Sequence, residues 1–257
     1  MRIGVFQFAS GADIQANADS ICKAIQNAAK SGVRLLVFHE CAACGYPPVE
    51  TPDIDRIDYE ALDALYARIC RLAKECDLYV AVGMIRQENA KRYNSIRVIS
   101  PEGPLGDYDK RALWGWDLDQ FERGASLGLF DIDGVKVGFR MCYEVRFPEY
   151  FRELFQAKAE LCFVSFNDVS DPDSPERYQI IRSNLLTRAV ENVMTVVSVN
   201  SISSHQTAPT AVFDIDGHVA LEAPRNEETL LVYDYLRPEI GFSAQGRIEN
   251  SELVMRR

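Results

Sequence analysis

Cysteine attacks as a thiolate, so the cysteine that matters in a chain is one whose neighbours present and polarise it, and Cys142 is placed for this. Val135, Val137, Phe139 and Met141 alternate with Lys136, Gly138 and Arg140, the period of two that marks a strand with one buried face, and Cys142 follows directly. Pro148 suits a first helical position, where the N–H it lacks has no partner anyway, and Phe151, Leu154 and Phe155 then recur at helical spacing. Cys142 therefore stands where a strand hands over to a helix. Close to helix-end dipoles and a basic side chain, its thiol is expected to ionise more easily than a free cysteine and to act as a nucleophile.

The elements that must hold such a residue alternate between strand and helix. Residues 2–8 read as a strand, and Ile14, Ala18, Ile21 and Ile25 mark an amphipathic helix running up to Gly32. A short strand follows at 35–38, then a helix over 58–76 with Leu62, Leu65, Ile69 and Leu72 on one face, then strands at 78–85 and 93–99. Beyond the cysteine come a strand at 161–166, a helix over about 175–192, and strands near 195–199, 208–213, 218–222 and 230–233. The pattern is α/β with two βαβ-like halves, and no repeat or low-complexity linker divides it.

The stretch Cys142-Tyr143-Glu144-Val145-Arg146-Phe147-Pro148-Glu149 closely resembles the cysteine motif of the nitrilase superfamily of carbon–nitrogen hydrolases. Two further motifs of that family appear in order. Leu35-Leu36-Val37-Phe38-His39-Glu40 with Gly45-Tyr46-Pro47 is similar to its glutamate motif, and Tyr108-Asp109-Lys110-Arg111-Ala112-Leu113 to its lysine motif. Arg188-Ala189-Val190-Glu191-Asn192 resembles its late helix and Asp214-Ile215-Asp216-Gly217 its late hairpin, so the resemblance spans residues 3 to about 235. It implies a four-layer α-β-β-α sandwich, assembled as a homodimer or larger homo-oligomer, in one domain over 1–257. It also implies a Glu40–Lys110–Cys142 triad acting on a small-molecule amide. Glu40 lies just past a strand, as Cys142 does, and open α/β sheets bind ligands beyond the carboxyl ends of their strands. Lys110 falls in a polar loop after the strand at 93–99.

In that triad Glu40 takes the thiol proton, the thiolate attacks the carbonyl carbon, and Lys110 with the backbone N–H of Tyr143 holds the oxyanion. A water activated by Glu40 then hydrolyses the thioester, with no cofactor and no metal. Tyr143, Asp117, Glu144 and Asn167 are the expected substrate-binding residues. Asp117 stands seven residues before Gly124, where many relatives carry glutamate, with Asp119 and Glu122 as alternatives for that role. Asn167-Asp168 replaces the Asn-Trp of many amidases, making this wall more polar, while Trp114 and Trp116 are divided between pocket wall and core. Arg146 divides between a carboxylate anchor and a structural role. His39 reads as a turn residue. Tyr143, where nitrilases have Trp, favours amides over nitriles. Acyl transfer to an amine, N-carbamoyl or nitrile hydrolysis, and a silent binding scaffold remain alternatives.

Composition narrows the partners. A net charge of −10 with no basic segment argues against nucleic acid, and no apolar run approaches the roughly 18 residues that span a bilayer. The Arg2 start lacks a signal-like region, so a cytoplasmic protein is expected. Seven cysteines, an odd number, read as reduced thiols, mostly core fillers. Cys41-x-x-Cys44 lacks the second ligand pair that a structural zinc site requires.

Overall fold

The computed structural model describes residues 1–255. In chain order the first half contains β1 (Arg2–Gln7), α1 (Ile14–Lys30), β2 (Leu35–Phe38), α2 (Tyr59–Glu75), β3 (Tyr79–Glu88), β4 (Lys91–Ser100) and β5 (Gly103–Asp109). After α3 (Asp117–Gln120) come β6 (Leu129–Ile132), β7 (Val135–Met141), α4 (Pro148–Gln156), β8 (Leu161–Phe166) and β9 (Val169–Ser170). The remainder is α5 (Pro175–Asn192), β10 (Thr195–Asn200), β11 (His205–Gln206), β12 (Ala211–Phe213), β13 (Val219–Glu222), β14 (Thr229–Asp234) and α6 (Phe242–Met255). One six-stranded sheet runs β14-β1-β2-β3-β4-β5, the other β13-β12-β10-β8-β7-β6, and β9 pairs with β11.

Alternation along the strands explains the layering. Leu35 and Val37 of β2 meet Val137, Phe139 and Met141 of β7 and Leu161 and Phe163 of β8 in a core between the sheets, where Phe139 and Phe163 stack at 5.8 Å. The opposite residues of the same strands face helices. Leu36 and Phe38 pack with Ile21 and Ile25 of α1 and Leu65 and Ile69 of α2, while Cys162, Val164 and Phe166 pack with Phe151 and Leu154 of α4 and Ile181 and Leu185 of α5. Strands buried on both faces read as continuous apolar runs, and helices cover both outer sides, so the chain is a nitrilase-like α-β-β-α sandwich. Asp13 and Asp58 start α1 and α2 by accepting backbone N–H bonds, and Pro148 opens α4.

Six elements escaped the sequence pattern: β5, α3, β6, β9, β11 and α6. β5 contains Gly103, Pro104 and Gly106, a turn-like composition that an edge strand tolerates because one side needs no ladder bonds. Its presence moves Lys110 from a loop after β4 to the residue directly after β5, where its N–H donates to Asn94 O at 2.8 Å. Since β4 is antiparallel to β3 and β5 to β4, β5 ends at the same edge as β2 and β3.

The sheets are tied together at that edge. Ser165 Oγ donates to Phe38 O at 2.9 Å, and Glu40 N to Phe166 O at 3.3 Å. Gly83 in β3 permits the close approach, for a Cβ there would lie 2.2 Å from His39 O and 2.7 Å from Cys41 N. Both obstacles are backbone and cannot swing aside. Gly83→Ala is expected to cost about 1–3 kcal/mol, lowering Tm by roughly 2–4 °C per kcal/mol, and to reduce turnover by displacing Glu40. Thermal unfolding checks this, and an unchanged Tm would mean that the strand end moves freely.

Candidate active site

Each triad residue follows a strand: Glu40 after β2, Lys110 after β5 and Cys142 after β7. Glu40 is fully buried. Its Oε1 accepts from Lys110 Nζ at 2.8 Å and Asn94 Nδ2 at 2.7 Å, and its Oε2 from the backbone N–H of Asn167 at 3.0 Å. Lys110 Nζ also donates to Asp117 Oδ2 at 2.8 Å, and Tyr46 Oη donates to Asp117 Oδ1 at 2.6 Å. Asp117 thus meets Lys110, whereas Glu122 turns to Lys91 at 3.4 Å and Lys110 bonds to neither Glu122 nor Asp119. Gly124 closes this loop by donating to Lys110 O at 3.0 Å, in a position where a Cβ would strike Asp109 O at 2.1 Å.

Cys142 adopts a left-handed φ of 39°, a conformation that costs a non-glycine residue about 1–3 kcal/mol. It opens a 3₁₀ turn, Cys142–Arg146, which α4 follows. Tyr143 is second in that turn, so its N–H has no intrahelical acceptor. Arg188 of α5 secures the turn, donating from Nε to Val145 O at 3.1 Å.

The electrostatics reverse one expectation. Burial pushes the Cys142 thiol well above its ordinary 9.0, and the Glu40 and Asp168 carboxylates add to this against the opposing Lys110 ammonium. Burial and the acidic surroundings thus favour the thiol form, opposite to the expected shift, and only a short 3₁₀ turn starts at Cys142. Burial likewise raises Glu40 above 4.5, the nearby Asp117 contributing, although Lys110 and the bonds from Lys110 and Asn94 oppose it. Lys110 is itself raised well above 10.5, since the charges of Glu40 and its neighbours outweigh the burial that lowers it. Glu40, Lys110 and Cys142, each held above its ordinary pKa, are therefore assembled in one cluster at the strand ends.

The outer walls form a cavity of about 520 Å³ that contains Cys142, Trp114, Tyr143, Arg146, Asp168 and Arg177. Asp168, in the place of the expected Trp, accepts from Arg177 Nε and Nη2 at 2.8 and 3.0 Å and also from the Thr207 hydroxyl. The Arg146 side chain makes no hydrogen bond or ion pair among the described residues, so the structure supplies no side-chain partner for the structural role. Trp114 is wall, whereas Trp116 packs inward on Phe121 at 5.8 Å.

Of the expected binding residues, Asn167 is buried beside Glu40 with both ends of its side-chain amide unpartnered, and Tyr143 lines the cavity. Glu144 is not in the cavity. Its buried carboxylate is fully used, accepting from Met141 N and Tyr108 Oη at 2.7 Å, Arg111 N at 2.7 Å and Ala112 N at 3.3 Å. It clamps the segment after Lys110 to the turn at Cys142, a role that a motif in one strand cannot reveal. His39, directly before the turn at 40–44, is fully buried; its ring lies 4.8 Å from Phe8, its Nδ1 is 3.1 Å from Glu40 O, and burial lowers its pKa. The contacts of Asn94, Tyr46 and Arg177 were missed: Asn94 and Tyr46, the latter noted only as part of its motif, meet Glu40 and Asp117 from distant segments, and Arg177 folds back onto Asp168 from the start of α5.

A four-layer sandwich with a glutamate, a lysine and a cysteine converging at the strand ends has the architecture of nitrilase-like enzymes. The family model described as carbon-nitrogen hydrolase matches residues 2–244, and the chain belongs to that family. Its relatives lie in the amidase branch. It is 27% identical over 221 residues to an (R)-stereoselective amidase of Pseudomonas sp., covering 79% of this chain and 78% of the relative. An omega-amidase of Xenopus tropicalis is 25% identical over 239 residues, 88% of this chain and 82% of that protein. Among solved structures, an amidase from Nesterenkonia sp. superposes with a TM-score of 0.82 at 24% identity, covering 100% of this chain and 95% of that one. No helix among the described residues is long and apolar enough to cross a membrane.

Asp117 offers a test with a signed pH effect. A charge-assisted bond is worth about 1.5–3 kcal/mol, so Asp117→Asn is expected to lower kcat by about 10- to 150-fold. Glu40 must be ionised to accept a proton, and its pKa is raised, so activity should fall as pH drops through a midpoint above 4.5. Removing the Asp117 charge relieves part of that elevation and should move the acid limb downward. A pH profile of kcat/KM reads both effects, and an unmoved limb would count against Asp117 acting on this cluster.

Proposed function

We propose that the protein hydrolyses a linear amide of a small molecule through a Cys142 thioester. The observation that carries this reading is Lys110 Nζ, bonded to Glu40 at 2.8 Å and to Asp117 at 2.8 Å in a buried site adjoining the cavity of Cys142. Glu40 accepts the thiol proton as sulfur attacks the carbonyl carbon. Lys110 and the Tyr143 N–H face the developing oxyanion, each donor worth roughly 3–4 kcal/mol in such sites. The C–N bond then breaks, the proton on Glu40 passes to the leaving nitrogen, and Glu40 in turn takes a proton from the water that attacks the thioester. Arg146 supports a substrate with a carboxylate on its acyl part, and Asn167 supports recognition of the amide or the water. A variant of the Nesterenkonia amidase that carries the acetamide moiety of fluoroacetamide covalently on its active-site cysteine lends support from a protein of the same fold.

Intact-mass analysis during incubation with propionamide and succinamate tests this. Wild type should show a transient acyl adduct, Cys142→Ala none, and Glu40→Gln little, because an amide side chain cannot accept the thiol proton. Lys110→Met should slow acylation and deacylation alike by about 10²–10³. Undiminished turnover by Cys142→Ala would sink the mechanism, and an adduct that persists until an amine is added would indicate acyl transfer.

A further inference from the structure

We propose that the catalytic cavity continues into a second subsite that takes an aryl group, or a similarly flat apolar group, of the substrate. This rests on the amide-hydrolase reading and adds to it the shape of the substrate. Trp114, Tyr143 and Phe147, which bound the cavity of Cys142, also bound a neighbouring cavity of about 570 Å³, whose far side includes Tyr150, Arg111 and Arg123. The two spaces share one aromatic wall.

That wall is ordered. Tyr143 meets Phe147 edge-to-face at 5.1 Å and 80°, and Phe147 meets Tyr150 in the same manner at 6.1 Å and 82°, so three rings lead away from the residue next to the nucleophile. Trp114 shares both cavities and is 70% exposed, although Trp116 two residues later shows that the same loop can bury an indole. Large rings left in water beside a reactive thiol gain contact when a planar apolar group is laid on them. The rim is charged but balanced. Arg111 is paired with Glu153 at 2.6 Å and lies 4.8 Å over the Tyr150 ring, while Arg123 donates to Arg111 O at 3.0 Å with Glu149 nearby in the same rim. Recognition in this subsite therefore falls to the rings, and the three lining residues it shares with the cavity of Cys142 make substrate, rather than a separate partner, the occupant.

The experiment compares propionamide with 3-phenylpropionamide, which carries a ring on the acyl side, and with N-benzylpropionamide, which carries it on the amine side. Wild type should favour one of the aryl amides over propionamide by about 10-fold or more in kcat/KM, the size of one or two ring contacts. Tyr150→Ala, whose ring lies outside the cavity of Cys142, should abolish that preference and leave propionamide turnover unchanged. As a reading free of turnover, Cys142→Ala should bind the favoured aryl amide more tightly than propionamide, followed by tryptophan fluorescence. Wild type without aryl preference, or a Tyr150→Ala variant that loses both substrates equally, would overturn the subsite while leaving the hydrolase standing. No adduct and no turnover with any of the three amides would remove the hydrolase reading, and the subsite with it.

Discussion

An ammonium buried between two carboxylates is the constraint on which the rest of this molecule depends. Lys110, Glu40 and Asp117 are all removed from water, and each ion taken from water costs several kcal/mol unless geometry and further hydrogen bonds compensate. Here the compensation is detailed. Asn94, the Asn167 N–H and Tyr46 supply the remaining donors to the two carboxylates. Removal of any one member leaves an uncompensated charge in the interior, so the cluster can exist only where several elements are held in register.

The four-layer arrangement provides that register. Strands β2, β5, β7 and β8 end at one edge, and the dry core between the sheets fixes how their ends face each other. At the edge itself polar contacts take over from apolar packing. Ser165 bridges to Phe38 O, and Glu144 gathers donors from β5, β7 and the segment after Lys110. Glu144 therefore ties the Lys110 side of the site to the Cys142 side without lining the cavity.

The same cluster sets the charge state of the nucleophile. Burial raises the Cys142 thiol, and the Glu40, Asp168 and Asp117 carboxylates add to this against the single Lys110 ammonium, so the protonated form is favoured. Burial raises the proton affinity of Glu40 as well. The cavity above carries different chemistry. Asp168 and Arg177 neutralise one another there, Arg146 is left as a cation, and aromatic rings form much of the remaining surface.

Local signals in the sequence were sufficient for the residues that open or close elements. Alternation up to Met141, followed by Cys142 and Pro148, defines the elbow because strand period, turn and helix start are all encoded within about fifteen residues. The motifs around Glu40 and Lys110, and the spacing of Asp117 from Gly124, were legible for the same reason, as were the continuous apolar runs of the central strands. What only the tertiary structure decided depends on distant partners. β5 looked like a loop because its glycines and proline are tolerated at a sheet edge that local sequence does not reveal. Glu144 sat in a motif beside the nucleophile yet faces away from it, toward donors more than thirty residues earlier in the chain. Asn94 and Tyr46 join Glu40 and Asp117 from 54 and 71 residues away. The ionisation of Cys142 reversed for the same cause: a pKa sums burial and charge over all neighbours in space, and both the burial and the acidic neighbours that oppose Lys110 come from distant segments.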